Sequence, residues 1–344
     1  MKFRLSCLMI ALAACVSACT DDNDDTDTGG TTPPPSAGVI KSTSIVGLGD
    51  DGKLYTLSPS IPPAAPAFTI SAAGTPITGY VGAGTASPPA VVTLDIQPST
   101  KTIFVLFSDD RLYTVNPSSG AATLKGIVNK TPGVTLRAMA FDPVSGNIRM
   151  LGQFSTAQMV NYQVNPNDAT IVSNDTQLGY VSGDTNASSN PTGVSAIAYT
   201  GDGSSATTAF VIDTTNDDLV RLGSAGGTPD NAGSGKLNTV AQFTRGVGGG
   251  RLGFDIEFGN NPYGYIVDAG TATELIRVNL ATGELTSMGS TNSGIRLVGA
   301  AVVPGTGTNV TDSGGVIATP GIIVGEAGCS RAFGTGSSVT KDEG

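Results

Sequence analysis

The feature that most restricts this chain is a strand-and-turn pattern that recurs five times. DDGKLYTLSPS (50–60) matches DDRLYTVNPSSG (109–120), and AQMVNYQVNPNDA, NDDLVRLGS and ATELIRVNLATG repeat the theme. Aligning the first strand position places Leu54, Leu112, Asn161, Leu219 and Leu275 in one column, separated by 58, 49, 58 and 56 residues. A β-rich run such as TIFVLFS or NPYGYIVDAG precedes the turn in each copy. A second motif leads most copies: VVTLDIQP (91–98), RAMAFDP (137–143), SAIAYTG (195–201) and LGFDIEF (252–258). The unit is therefore strand, turn, strand, tight turn, strand, turn, strand, which is one four-stranded antiparallel blade. Helical periodicity is nearly absent, and 47 glycines punctuate the strands. Blades repeated around an axis leave only short protected edges, so the expected fold is an all-β, five-bladed β-propeller. A sixth blade follows if the carboxy-terminal strands form one. The first unit lacks a leading strand, and IRLVGAAVVPG (295–305) is apolar enough to supply it and close the ring. A solenoid would call for polar capping repeats, and none is evident.

The amino terminus, MKFRLSCLMIALAACVSAC, bears on location. Lys2 and Arg4 lead an apolar run, 5–18, shorter than the about 20 residues a spanning helix needs. The run ends Val16-Ser17-Ala18-Cys19 and resembles the signal peptide and lipobox of bacterial lipoproteins. That resemblance implies acylation of Cys19 and a membrane anchor, with Thr20 behind it permitting export to the outer membrane, on its periplasmic or exposed side. Leu12-Ala13-Ala14-Cys15 also fits the pattern; Cys19 leaves the longer apolar segment and abuts the polar tether. An ordinary secreted protein with an incidental cysteine is the alternative. From Thr20 to Gly38 there are five aspartates, no basic residue and almost nothing apolar, a composition that predicts a disordered spacer. Within it Asp25-Thr26-Asp27-Thr28-Gly29 opens a stretch that lacks the glutamate a calcium loop needs at its twelfth position. The expected division is a signal peptide at 1–18, an acidic tether at 19–40, the propeller at 41–306 and a Gly/Ser/Thr-rich segment at 307–344, where GVIATPGIIVG offers another strand or two.

Composition removes several chemistries. With no histidine, Ser-His-Asp and Cys-His catalysis and histidine-ligated metals or haem are out of reach. Cys7 and Cys15 leave with the leader and Cys19 is the lipid site, so Cys329 alone remains: a small buried residue rather than an activated nucleophile, with no internal disulfide. Losing Lys2 and Arg4 takes the net charge from −10 to −12, which speaks against nucleic acid as a partner. Gly248 to Gly253 spells GxGxxG but precedes a strand, not a helix, and reads as a turn. No P-loop, GxSxG or CxxC occurs.

RLYTVNPSSGAATLKG (111–126), taken with YVSGDTNASSNPTGVSAIAYT (180–200), resembles a bacterial family of exported proteins of unknown function, in which an LYTINPATGAATLVG-like blade motif recurs. Gly183, Asp184, Asn186, Ala187, Asn190 and Pro191 match that family's most distinctive stretch, and Ser188 replaces its usual glycine. The resemblance spans about residues 44–305 and implies a propeller, exported or lipid-anchored, with no assigned activity.

Two sets of residues are candidates for chemistry. Asp95, Asp142 and Asp255 end the leading strands and read as one recurring position. They would either ring a channel and hold a cation or fix turns by accepting backbone N–H groups; recurrence with the fold favours turns. Asp184, Asn186 and Asn190 form the polar cluster that does not repeat. They offer oxygen ligands suited to calcium, or they brace neighbouring blades, and bracing is the preferred reading. No other cofactor is evident. The expected role is a lipid-anchored module that binds or scaffolds an envelope protein or extracellular partner. The alternatives are a metal-dependent lactonase- or lyase-type propeller enzyme using carboxylates, and a structural envelope protein.

Overall fold

The computed structural model describes residues 40–42, 44–60, 67–71, 73–201, 206–248, 251–257, 263–270, 272–291, 294–304 and 308–310. The leader, the tether to residue 39, Cys19, Cys329 and the expected strand in GVIATPGIIVG lie outside the described residues.

Five blades of four antiparallel strands make a five-bladed β-propeller. Blade 1 runs through Val91–Gln97, Thr102–Phe107, Arg111–Val115 and Ala122–Ile127. Blade 2 runs through Thr135–Phe141, Ile148–Gln153, Met159–Val164 and Ile171–Asn174. Blade 3 uses Val194–Tyr199, Ala209–Asp213, Asp218–Leu222 and Lys236–Gln242, with Gly179–Tyr180 added in parallel at its outer edge. Blade 4 uses Leu252–Ile256, Tyr263–Ala269, Thr273–Asn279 and Leu285–Ser290. Blade 5 joins both ends of the ring. Its outer strands, Ile45–Gly49, Lys53–Ser60 and Ala67–Ile70, come from the start of the chain, and its innermost strand is Leu297–Val302. Ile45 pairs with Val302 and Val46 with Ala301, the closure the apolar run at 295–305 predicts. A separate ribbon pairs Ile40–Ser42 with Thr308–Val310. Among the described residues the only helices are single 3-10 turns, such as Pro191–Gly193, and none is long and apolar enough to cross a membrane.

The core follows from alternation along the strands. Five apolar clusters fill the five seams between neighbouring blades, built from residues such as Leu48 and Val105, Leu106 and Met150, Leu151 and Val211, Ile212 and Ile266, and Val267 and Leu57. Leu54, Leu112, Leu219 and Leu275 are buried on the third strand of their blades, and Asn161 fills the equivalent place in blade 2 with no exposure at all. The innermost strands crowd together at the axis. A Cβ on Gly253 would lie 2.4 Å from the Ala300 nitrogen, and one on Gly299 would lie 3.1 Å from the Leu94 nitrogen, so these strands approach closely where the side chain is absent.

The recurring NP-x-x-G stretches are five-residue turns. Asn116, Asn165 and Asn279 each accept backbone N–H groups through Oδ1, from Ser118, Asn167 and Ala281, all at 2.9 Å. The fifth residue is left-handed, as Gly120, Ala169 and Gly283. All innermost strands run the same way round the ring. The connections between blades and the hairpins between second and third strands therefore share one end of the ring, here called the loop face.

Candidate functional site

The three aspartates read as one recurring position occupy two. Asp142 follows its strand and serves its turn: Oδ1 accepts the amides of Val144 at 2.9 Å and Ser145 at 3.4 Å, the role Asn plays in the other turns. Asp95 and Asp255 instead lie inside the innermost strands Val91–Gln97 and Leu252–Ile256, two residues earlier in register. Asp95 accepts N–H groups from Ile96 at 2.7 Å and, across the seam, from Phe141 of blade 2 at 2.6 Å. Asp255 does the same with Ile256 at 2.8 Å and Val302 of blade 5 at 2.6 Å. The edge of an innermost strand has no further strand to pair with, and these carboxylates satisfy one amide on each facing edge. At the same register blades 2, 3 and 5 carry Ala140, Ala198 and Ala301, which are buried in the apolar seams. Burial pushes both carboxyls up from the ordinary range against those amides, and the charge of Asp95 raises Asp255 further.

The non-repeating cluster lies in the connection from blade 2 to blade 3, which starts at Asp175. Asp184 faces the outer strand of blade 3. One carboxylate oxygen accepts the Thr239 amide at 2.7 Å, and the other accepts the Thr239 hydroxyl and the Asn186 amide, both at 2.8 Å. Burial works against its charge, but these donors hold it below the usual carboxylate range. Asn186 donates to the Asp218 carboxylate and to Thr239 Oγ1. Asp218 is pushed up by burial and by the neighbouring charges of Asp213 and Asp184. Asn190 stands apart from this contact: it precedes the Pro191–Gly193 turn and its side chain does not cap it. The structure thus brings Asp184 and Asn186 together on blade 3 and leaves Asn190 outside. Among the described residues no group of three or more acidic, cysteine or histidine side chains is placed to hold a metal ion.

Beside this loop, the seam between blades 2 and 3 holds a polar network that the repeat alignment marks only as the odd asparagine. Arg149 is 2% exposed. It donates to Tyr199 of blade 3 at 2.7 Å, to Asn161 at 2.6 Å and to Asp175 at 2.9 Å. Asn161 in turn donates to the carbonyls of Thr176 and Ala232. Burial opposes the guanidinium charge, and Tyr199 and Asp175 outweigh it.

Around the axis, the loop-face ends of the innermost strands present three arginines. Arg137 sits at a bulge in blade 2, where pairing shifts between Leu136 and Ala138, and donates to the Thr192 carbonyl at 3.0 Å and to Gln153. Arg251 precedes the innermost strand of blade 4, is exposed, and reaches the carbonyl of Val91, where that of blade 1 begins. Arg296 precedes the strand of blade 5 and pairs with Asp50 at 3.7 Å. Among the described residues no carboxylate is within ion-pair distance of Arg137 or Arg251. Burial alone pulls Arg137 down from its usual range. At the blade 3 bulge equivalent to Arg137, the Ser195 hydroxyl is buried without a hydrogen-bond partner. Reading the leading strands as aligned columns would have found this set, since RAMAFDP opens on Arg137 and LGFDIEF follows Arg251.

The model of a family described as a domain of unknown function (DUF4394) matches residues 83–301. No curated protein matches the chain. Among solved structures, a calcium-binding protein, regucalcin, from Agrobacterium tumefaciens is 16% identical, with a TM-score of 0.36 over 78% of this chain and 76% of that one. A structural-genomics protein of unknown function from Bacteroides thetaiotaomicron is 13% identical, with a TM-score of 0.39 over 75% of this chain and 60% of that one. A structure described as the Dos1 propeller is 10% identical, with a TM-score of 0.35 over 72% of this chain and 61% of that one. At such scores and identities these likenesses say nothing of what this chain binds.

Proposed function

The chain belongs to the DUF4394 family, and from that premise we propose that its propeller is a binding module, held to the outer membrane by a lipid on Cys19 and carried on the acidic tether. The observation that carries this reading is the engagement of the carboxylates. Asp95, Asp255 and Asp184 each accept backbone amides from a neighbouring strand through one oxygen and a second donor through the other. Such groups are committed to holding the ring and the blade 2 to blade 3 connection together, which leaves recognition to other residues of the loop face. Recognition on braced loops carried by a rigid scaffold is a common use of such a fold.

A second reading is a carboxylate-based lactonase or lyase. It draws on the buried pair Asp95 and Asp255, whose raised proton affinity suits a general acid. One experiment separates the two. The full chain, bearing its lipid, is used to capture envelope components, and each capture is repeated with loop-face variants. In parallel a lactone and ester panel is assayed with added divalent ions. Capture of one component, lost in a loop-face variant and kept in the Asp95→Ala/Asp255→Ala variant, together with no turnover, supports binding. Metal-dependent turnover abolished by Asp95→Ala or Asp255→Ala replaces binding with catalysis. For the anchor, Cys19→Ala releases the protein without detergent if the lipid holds it; retention of that variant in the membrane fraction refutes it.

A further inference from the structure

We propose that the mouth of the axis on the loop face is a seat for an oxyanion, a carboxylate or phosphate group of the bound partner, held by Arg137 and Arg251 with the Ser195 hydroxyl beside them. This rests on the binding reading and names the chemistry that the face recognises.

Charge accounting motivates it. The chain has net charge −10, and seven of its described cations are matched one to one: Lys53 with Asp51, Arg111 with Asp109, Lys130 with Asp110, Arg149 with Asp175, Lys236 with Asp230, Arg245 with Glu274 and Arg296 with Asp50. Arg137 and Arg251 have no such match among the described residues, and both stand where innermost strands enter the ring. Lys101, Lys125, Arg221 and Arg277 also lack one, but Lys101 lies in a turn at the opposite end of the ring, Lys125 on an outer strand and the two arginines on third strands, away from the mouth. Carbonyls satisfy only part of the two mouth guanidiniums. Arg137 gives one donor to Thr192 and another to Gln153, and Arg251 gives one to Val91. A guanidinium presents five N–H donors in a planar fork that matches a carboxylate or phosphate. Ser195 supplies an independent sign, because a buried hydroxyl without a partner is uncommon and it lies one blade on from Arg137 at the same bulge register. Three observations therefore converge on one end of the axis: two unmatched guanidiniums, an unpartnered hydroxyl and a shared strand register. Asp268 of the blade 4 sheet pairs through its backbone with Leu252; its Oδ2 accepts the Gly248 amide at 2.9 Å and its Oδ1 is buried without a hydrogen-bond partner.

The test is calorimetric titration of the full chain with inorganic phosphate and, separately, with succinate, at fixed ionic strength. The expected result is one site, weakened about tenfold in Arg251→Gln, the loss expected for one charge-assisted hydrogen bond. Arg137→Lys weakens it as well, since an ammonium does not reproduce the fork. Lys101→Gln, in a turn on the opposite end of the ring, leaves it unchanged. Unaltered melting temperature in Arg251→Gln separates lost binding from lost fold. The tighter of the two probes tells a phosphoryl from a carboxylate partner. Absence of binding by both probes, or equal affinity in wild type and Arg251→Gln, overturns the seat. If an envelope component is nonetheless captured through the loop face, the binding reading survives without it.

Discussion

Two polar regions of the ring differ in what their charges do. In the wedge between blades 2 and 3, Arg149, Asn161, Asp175, Asp184 and Asn186 satisfy one another and the backbone. At the axial mouth, Arg137 and Arg251 face no carboxylate among the described residues, and Ser195 has no partner. The wedge draws the eye in the sequence because its polar residues cluster and break the repeat. The mouth does not, because its residues are 58 and 56 positions apart, one per strand. Internally matched polar groups build structure, and unmatched ones at a strand end are available to a ligand.

Substitutions in the wedge carry the largest expected effects. Arg149→Met leaves the Asp175 carboxylate and the Asn161 amide without their buried partner, and should lower the unfolding free energy by about 3–5 kcal/mol in denaturant melts. Asn161→Leu restores the repeat's leucine yet takes one acceptor from Arg149 and the donor from two carbonyls, and should cost about 2–4 kcal/mol by the same measurement. A neutral or stabilised Asn161→Leu protein would show that the repeat pattern, not the network, governs this seam. Asp184→Ala removes the brace from the blade 3 connection and should cost about 1–3 kcal/mol. Calcium should not raise its melting temperature differently from wild type; a shift seen in wild type and lost in the variant would make this loop a calcium site.

The comparison also has a pH form. Hydrogen bonds hold Asp175 and Asp184 below the ordinary range despite burial, so their stabilisation is present above that range and lost as pH falls below it. Asp95 and Asp255 are raised by burial, so their contribution is full below the unfolded value of 3.8 and lost as pH rises, for Asp95 toward about 7. Stability should therefore decline between about pH 4 and 7 in wild type, and the decline should vanish in Asp95→Ala/Asp255→Ala, followed by denaturant midpoints. The smallest effect belongs to the mouth. Arg251→Gln, exposed and bonded to one carbonyl, should change stability by no more than about 0.5 kcal/mol.

Much of the ring was legible in the sequence because its causes are local. The alternation of DDRLYTVNPSSG and the turn chemistry of Asn and Gly dictate a blade, and the missing first strand points to 295–305 for closure. What was not legible depends on register between blades. Asp95 and Asp142 look equivalent when read by the end of a motif, but a strand that ends two residues later puts one in the seam and the other in the turn. The partners of Asn161, Ala232 and Arg149, come from another blade and another strand, so its polarity in a leucine column could be noticed but not explained. The arginine mouth exists only once five strand ends are brought together.

The central claim is that recognition belongs to the mouth and that the wedge is scaffold. The measurement that tests it most directly is the affinity for the captured envelope component, determined side by side for wild type, Arg251→Gln and Asp184→Ala, each shown to be folded by its melting curve. The account predicts a loss of about tenfold or more in Arg251→Gln and wild-type affinity in Asp184→Ala. Wild-type affinity in Arg251→Gln with a loss in folded Asp184→Ala would contradict it and move recognition to the wedge.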